Sequence, residues 1–224
     1  MKIVIKIGGS VIASPPNPNL IRRYVDMVLD LKRRGHMIVL VIGGGKLARE
    51  FIDLARSLGL SEQEQDELAI SVSRLFAQTF SMKLGGYKWR KVPSTIEEAV
   101  KILNEEGIVV MGGIKPGMTT DAVAALMASE IGADLIIKAT DQEGIFTKDP
   151  KKYPDAKKLD EMSFDDLERI LGEGKHEAGI HRIIDSEAIR ILKEKHIKTI
   201  VVNGFNPENI LLAINGMRVG TIIT

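Results

Sequence analysis

Three apolar runs that each end in glycine constrain the fold of this chain more than any other feature. The runs are Met1–Ile7, Met37–Ile42 and Ile108–Met111, and glycines follow each of them directly. Each run indicates a strand, and the unbroken apolar run Met37–Ile42 is typical of a strand buried on both faces of a sheet. Segments with the apolar spacing of helices separate the runs. This alternation predicts an α/β fold with a mainly parallel sheet between two layers of helices.

The rest of the chain continues this alternation. Helices are expected over Asn17–Arg34, Lys46–Leu58, Ser61–Leu84, Thr95–Asn104, Ser163–Leu171, Asp185–Lys195 and Pro207–Ile214. Further strands are expected over Ala133–Ala139, Lys198–Asn203 and Val219–Ile223. The charged segment Thr140–Pro154 is expected to be an irregular loop.

Glycines in three segments should lie together at one edge of the sheet. They are Gly8–Gly9, Gly43–Gly45, and Gly112–Gly113 with Gly117. The carboxyl ends of parallel strands share an edge, and ligands bind in the crevice there. A glycine loop that leads into a helix presents backbone N–H groups and the positive end of the helix dipole, which suits a phosphate. One such loop is more often an ordinary turn, but three at one edge favour a phosphate-rich ligand.

The third glycine segment carries the most local information. Pro116-Gly117 is the residue pair favoured by a type II turn. Thr119 and Thr120 then offer hydroxyl caps for an alanine-rich helix whose first turn carries Asp121.

The composition restricts the class of partner. Lys and Arg number 31 against 30 Asp and Glu, the formal net charge is +1, and aromatic residues make up 4% of the chain. This balance offers neither the basic surface nor the stacking side chains of nucleic-acid binding, so we expect no nucleic-acid partner. No apolar run approaches the roughly 20 residues that span a bilayer. Cysteine is absent, which fits a reducing cytosol, so we expect a cytoplasmic protein without a membrane partner.

Two familiar phosphate-binding motifs do not fit. A Walker A loop needs a glycine five residues before Gly45-Lys46 and a Ser or Thr after the lysine, but Leu40 and Leu47 occupy those positions. The dinucleotide fingerprint G-x-G-x-x-G follows none of the expected strands. The chain is therefore neither a P-loop NTPase nor an ordinary Rossmann dehydrogenase.

Two charged residues beside the glycines suit phosphoryl transfer, which requires mainly positioning and charge neutralisation. Lys6 lies two residues before the first glycine pair and could place its ammonium on phosphates, although it could also be a solvated strand lysine like Lys2. Asp121 could orient lysines, hold Mg²⁺, or only favour the start of its helix through the dipole.

Four motifs in order make the chain resemble the archaeal type of uridylate (UMP) kinase in the amino acid kinase superfamily. They are Lys6–Ser10, Gly43–Arg49, Gly112–Ala122 and Ala139–Pro150. The resemblance covers essentially the whole length. It implies one domain over residues 1–224, built as a three-layer αβα sandwich with an eight-stranded sheet. An acceptor lobe would cover about 1–130 and an ATP lobe about 131–224.

The resemblance also implies a reaction and its residues. ATP with Mg²⁺ would phosphorylate UMP in pyrimidine nucleotide biosynthesis, in a homohexamer. Lys6 would neutralise charge and Asp121 would organise the site, with no direct protein ligand assigned to the metal. The ATP site would comprise Gly9, Ser10, Gly45, Arg49, Thr140, Phe146 and Asp149. The UMP site would comprise Gly44, Asp66 at the ribose, Ile114, Lys115, Pro116, Gly117, Met118, Thr119 and Thr120.

Three positions depart from the family pattern. Phe146 replaces a usual tyrosine and lacks its hydroxyl, which bears on the choice of donor base. Asp141 adds a negative charge near the expected ATP site. Phe76 stands where an asparagine is usual, which bears on a subunit contact or on the acceptor site.

Two alternatives to a UMP kinase remain. A sibling kinase acting on isopentenyl phosphate would carry a histidine after the second glycine loop, and Lys46–Arg49 has none. A binding or storage module would not need Lys6, Asp121 and Asp149 together.

The four histidines show no metal-ligand spacing and are expected to be structural or surface residues: His36, His176, His181 and His196. An apolar stripe in the helix Ser61–Leu84 belongs either to the core or to a subunit interface: Leu68, Val72, Leu75, Phe76, Thr79 and Phe80.

Overall fold

The structure is a computed structural model that describes residues 1–85, 91–150, 152–172 and 184–224. Its strands are β1 (Lys2–Ile7), β2 (Met37–Ile42), β3 (Ile108–Met111), β4 (Leu135–Thr140), β5 (Ile145–Phe146), β6 (Lys158–Leu159), β7 (Glu161–Met162), β8 (Thr199–Asn203) and β9 (Thr221–Ile223). Its helices are α1 (Gly9–Ile12), α2 (Pro18–Arg33), α3 (Gly45–Ser57), α4 (Glu62–Gly85), α5 (Ile96–Glu106), α6 (Thr120–Ile131), α7 (Phe164–Gly172), α8 (Ser186–Glu194) and α9 (Glu208–Ile214).

One sheet forms the centre of the molecule, with strand order β3-β2-β1-β4-β8-β9-β7. The first five strands in this order run parallel, β9 pairs antiparallel with β8, and β7 runs parallel to β9. The predicted α/β fold with a mainly parallel sheet is confirmed. Within the described residues this sheet has seven strands rather than the expected eight, because β5 and β6 pair only with each other in a separate ribbon.

Alternating side chains of the strands divide the core between two faces of the sheet. In β1, Ile3, Ile5 and Ile7 pack with α2, α4 and α9, whereas Val4 packs with α5, α6 and α8 on the opposite face. Successive side chains of a strand point to opposite faces, so Lys6 shares the α6 face with Val4. The two buried apolar layers establish the expected αβα sandwich.

The predicted helices form, and their bounds lie within two residues of those expected. Capping explains this agreement. The Asn17 side chain accepts a hydrogen bond from Leu20 N at the start of α2. Before α4, the Glu64 carboxylate accepts from Ser61 N while Ser61 Oγ accepts from Glu64 N, which is a reciprocal capping box.

The segment Thr140–Pro154 is not wholly irregular, contrary to expectation. Ile145 is fully buried and opens β5, and its N–H donates to Thr221 Oγ1 at 2.8 Å. The same hydroxyl donates to Leu159 O at 2.5 Å, which joins the β5–β6 ribbon to β9. A two-residue strand is too short to produce a periodic pattern, so the sequence did not reveal it. The short strand β7 and the single helical turn α1, which follows Gly8, were not predicted for the same reason.

No helix in the described part of the chain is both long enough and apolar enough to cross a membrane.

Candidate active site

The first two glycine segments touch through their backbones. The second segment is bonded to the end of β1, because Gly43 N donates to Ile7 O at 3.0 Å. The first segment is bonded to β4, because Gly8 N donates to Ala139 O at 2.8 Å. A Cβ built on Gly9 would lie 1.9 Å from Gly45 N, so no side chain fits between the loops. Since β1 and β2 are parallel neighbours, both loops leave the sheet at one edge, as predicted.

A serine joins these two loops. Ser14 Oγ donates to Gly9 O at 3.2 Å and accepts from Lys46 N at 2.8 Å. Gly45 has a φ of +64°, which favours glycine. The spacing between the loops is therefore set by a backbone contact and one bridging hydroxyl.

The third glycine segment begins at the same edge, because β3 is the parallel neighbour of β2. Met118 N donates to Lys115 O at 3.3 Å, and Gly117 has a φ of +75°. These features confirm the predicted type II turn. Thr119 Oγ1 then accepts from Asp121 N at 3.2 Å and Ala122 N at 3.1 Å, which confirms a hydroxyl cap on α6.

Two lysines and one aspartate form a buried cluster at the start of α6. Lys6 and Lys138 are register partners on β1 and β4, and their residues are 8% and 6% exposed. Lys6 Nζ lies 3.1 Å from Asp121 Oδ1, and Lys138 Nζ donates a hydrogen bond to Asp121 Oδ2. Each carboxylate oxygen is thus in contact with an ammonium group.

Burial and charge shift the pKa values in this cluster. Burial raises the pKa of Asp121, but attraction to Lys138 and Lys6 outweighs it and holds the pKa below its ordinary value. Burial lowers the pKa of Lys138 to about 8, a shift opposed by Asp121 and reinforced by Lys6. Asp121 is therefore ionised, while Lys138 releases its proton in a mildly alkaline range.

A cavity of about 360 Å³ opens between α3, α4 and the third glycine segment. This volume lies in the range of small-molecule sites. It is lined by Gly44, Ala48, Asp66, Ala69, Ile70, Ser73, Gly113, Lys115, Gly117, Met118, Thr119 and Thr120.

Helix α4 is hydrogen-bonded to the loop that borders this cavity. Asp66 Oδ2 accepts from Gly117 N at 2.7 Å, and Ser73 Oγ accepts from Gly113 N at 2.8 Å. A Cβ on Gly112 would lie 2.8 Å from Arg74 N, so the glycines let the loop approach the helix backbone.

Comparison with known proteins identifies the family. A sequence model of the amino acid kinase family matches residues 1–203. This chain belongs to the amino acid kinase family. It is 42% identical to the uridylate kinase of Methanocaldococcus jannaschii, over 100% of this chain and 99% of that protein. It is 39% identical to the uridylate kinase of Methanothermobacter thermautotrophicus, with the same coverage of both chains.

Solved structures agree with this assignment. The crystal structure of uridylate kinase from Archaeoglobus fulgidus has a TM-score of 0.86 and 38% identity, and each chain is covered completely. A UMP kinase from Bacillus anthracis has a TM-score of 0.82 at 22% identity, which shows a shared fold.

In this amino acid kinase, most residues expected at the UMP site come together. Gly44, Asp66, Lys115, Gly117, Met118, Thr119 and Thr120 line the cavity described above. Ile114 and Pro116 belong to the same loop but are not among its lining residues. The roles of these residues in binding stay predictions.

The residues expected at the ATP site are spread over three segments. Gly9 and Gly45 are in direct contact, with Ser10 following in α1 and Arg49 exposed on α3. Thr140 ends β4, and its carbonyl accepts from Gly204 N at 2.7 Å.

The other two expected ATP-site residues follow β4 along the chain. Phe146 lies partly buried in β5, and Asp149 follows it. The loop between them and β4 is fixed to β8, because Asn203 Nδ2 donates to Glu143 Oε1 at 2.6 Å.

Three site residues were missed in the sequence. Lys138 is a lone charge within an apolar strand, which was the available signal, and the structure makes it the register partner of Lys6. Ser73 lies in a helix interior and offered no signal. Asp185 caps α8 through Ala188 N, accepts from Thr119 Oγ1, and attracts the Lys138 ammonium. Its cap was foreseeable, but its contact with α6 was not.

Two of the four histidines can be placed. His36 is half-buried and His196 is exposed, while His176 and His181 lie outside the described residues. Across the described ranges, no group of three or more His, Asp or Glu side chains could hold a metal ion.

Proposed function

We propose that this amino acid kinase transfers the γ-phosphoryl group of ATP to UMP, giving UDP and ADP, with Mg²⁺ as the metal. The buried Lys6–Asp121–Lys138 cluster beside the contacting glycine loops carries the proposal of phosphoryl transfer. The identity of the acceptor rests on full-length similarity to uridylate kinases at about 40% identity.

The reaction divides between the loops and the cluster. A phosphate oxygen of UMP attacks the γ-phosphorus, and the bond from that phosphorus to the β–γ bridging oxygen breaks, so ADP leaves with the electron pair. Negative charge spreads over the transferring group and the bridging oxygen. Lys6 and Lys138 are oriented by Asp121 to neutralise this charge, and the backbone N–H groups near Gly9 and Gly45 hold the ATP phosphates.

Mg²⁺ would be held in this site mainly by the phosphates of the nucleotide. Both oxygens of Asp121 contact ammonium groups, so this carboxylate orients lysines rather than binding the ion. Mg²⁺ usually keeps several waters and binds through one or two carboxylates together with substrate phosphates. When bound, it would neutralise negative charge on the phosphates of ATP.

The acceptor occupies the cavity between α3 and α4. The Oδ1 atom of Asp66, which does not bond to Gly117 N, accepts hydrogen bonds from the ribose hydroxyls of UMP. The loop Ile114–Thr120 encloses the nucleotide. We also propose that residues 1–130 form the acceptor lobe and residues 131–224 the ATP lobe.

The assembly is proposed to be a homohexamer acting in the cytoplasm. The apolar stripe of α4 supports assembly because only some of its residues pack into the core of the subunit, while others remain exposed. Val72, Phe76 and Phe80 are buried in the core, whereas Leu75 is 60% exposed. Further exposed apolar surface comes from Met82 on α4, from Phe51 and Leu54 on α3, and from Leu58 directly after α3.

An ADP-release assay with UMP, CMP, dUMP and isopentenyl phosphate tests the acceptor. We expect clear turnover with UMP and none above background with isopentenyl phosphate. Clear turnover of another acceptor without turnover of UMP would contradict the proposal. ATP binding without turnover of any of the four would favour a binding or storage module.

A further inference from the structure

Ser73 is placed at the meeting point of α4 and two glycine segments. It is 2% exposed, and its Oγ donates to Ile70 O at 2.8 Å while accepting from Gly113 N at 2.8 Å. A Cβ on Gly44 would lie 3.5 Å from Ser73 N. The hydroxyl therefore uses both its proton and a lone pair between the helix and the loop.

The bond to Gly113 satisfies a backbone N–H just beyond the end of β3. β3 is an edge strand of the sheet, and a buried N–H without a partner is costly. Ser73 Oγ provides the missing acceptor. The start of the loop is thus fixed by a side chain of α4 as well as by the strand before it.

The same helix holds the loop at a second point. Asp66 and Ser73 are seven residues apart, so they lie on one face of α4, about 10 Å apart along the helix axis. Asp66 fixes Gly117, and Ser73 fixes Gly113. Only residues 114–116 lie between the two hydrogen bonds, so α4 determines the shape of the loop along one wall of the cavity.

We infer that Ser73 is a positioning residue for the acceptor, which shapes the loop Gly113–Met118 through its hydrogen bond to Gly113 N. This inference rests on the proposed acceptor site. Without this bond the loop samples other conformations, and part of the binding free energy of the acceptor is spent on ordering it. The effect belongs to the acceptor side, since the hydroxyl contacts neither Lys6 nor Asp121.

Ser71 provides a matched control two residues away. Its Oγ donates to Glu67 O at 2.9 Å, a bond within α4 like that of Ser73 to Ile70, but its side chain is exposed. Replacing either serine by alanine removes a hydroxyl from the interior of the same helix. A difference between the two variants then isolates the bond to the loop.

The kinetic test compares wild type, Ser73→Ala, Ser73→Thr and Ser71→Ala. We expect Ser73→Ala to raise KM for UMP by about tenfold, which corresponds to about 1.4 kcal/mol. Its kcat and its KM for ATP should stay within about twofold of wild type, Ser73→Thr should restore KM, and Ser71→Ala should match wild type. An unchanged KM for UMP, a parallel loss in kcat, or an equal effect of Ser71→Ala would overturn the inference.

Amide hydrogen exchange tests the bond without turnover, and it applies even if Ser73→Ala does not fold. In the wild-type protein, Gly113 N–H should exchange as slowly as amides in the middle of α4. Exchange as fast as that of an exposed loop amide would refute the inference. A wild-type protein that failed to phosphorylate UMP would contradict the proposed function instead, and the exchange rate of Gly113 would still decide on the loop contact.

Discussion

At the scale of single residues, Lys138 offers the sharpest test of the charge cluster. Lys138→Met should lower kcat by about 10²–10³, the effect of losing one preorganised charge-stabilising donor. Lys6→Ala should have an effect of similar size. Lys46→Ala is the control, because Lys46 is exposed and its Nζ pairs with Glu50 Oε1 at 3.4 Å on the surface of α3. Similar rates for all three variants would exclude the assigned roles.

The pKa of Lys138 also predicts a pH dependence. Because this pKa is lowered to about 8, the free enzyme loses the ammonium as pH rises through that value. The ratio kcat/KM for ATP reports the free enzyme, so it should fall above about pH 8. Bound phosphates favour the charged lysine, so the corresponding fall in kcat should occur at higher pH. A profile of kcat/KM that stayed flat through this range would contradict the role of Lys138.

Asp66 holds Gly117 N and is proposed to bind the ribose of UMP as well, and a comparison of two substrates can separate these roles. Asp66→Ala should raise KM for UMP by about 10- to 100-fold, since a charged hydrogen bond is worth roughly 1.5–3 kcal/mol. If Asp66 reads the 2′-hydroxyl, the loss with dUMP should be smaller, but it should not vanish because Gly117 N also loses its partner. The values of kcat/KM for wild type and Asp66→Ala, each with UMP and dUMP, form a thermodynamic cycle that measures this coupling. Equal losses would mean that Asp66 does not contact the 2′-hydroxyl.

At the scale of elements, the contact between the first two glycine loops predicts that Gly9 cannot be replaced by a residue with a side chain. Gly9→Ala would place a Cβ 1.9 Å from Gly45 N and push the loops apart. We expect kcat/KM for ATP to fall by at least about 10², because displacing a reacting group by about 1 Å can lower the rate by that factor. Gly59→Ala is the control, since Gly59 has a φ of +75° but no atom within 4 Å of its added Cβ. It should lower stability by about 1 kcal/mol without changing kinetics, and a similar kinetic loss there would contradict the explanation.

The elements also show how far the sequence could be interpreted. Helix ends were predictable where a side chain caps the first turn, as at Asn17 and Thr95. The meeting of the glycine segments followed from strand direction alone. The β5–β6 ribbon and the partners of Ser73 and Lys138 were not predictable, because each depends on contacts between segments distant in the chain. Periodicity reports which face of an element is buried, but it does not report which residue on another element that face meets.

At the scale of the whole molecule, the exposed apolar surface of α3 and α4 predicts self-association. Light scattering should return a mass that is a multiple of 24.6 kDa, in agreement with a hexamer. Leu75→Glu should reduce this mass by introducing a charge into the buried centre of a subunit contact. Leu212→Glu changes a leucine of α9 that is 42% exposed, and it should leave the mass unchanged. A wild-type mass equal to that of one chain would refute the proposed oligomer.

The position of β9 has a consequence for the biosynthesis of the protein. β9 lies between β8 and β7, yet among the described strands it is the last to leave the ribosome. Thr221 of β9 also accepts a hydrogen bond from Ile145 N and donates one to Leu159 O. The ribbon that carries Phe146 therefore has to wait for β9 before it can dock. We therefore expect a nascent chain to complete the segment that carries Phe146, a residue expected at the ATP site, only after β9 has been synthesised.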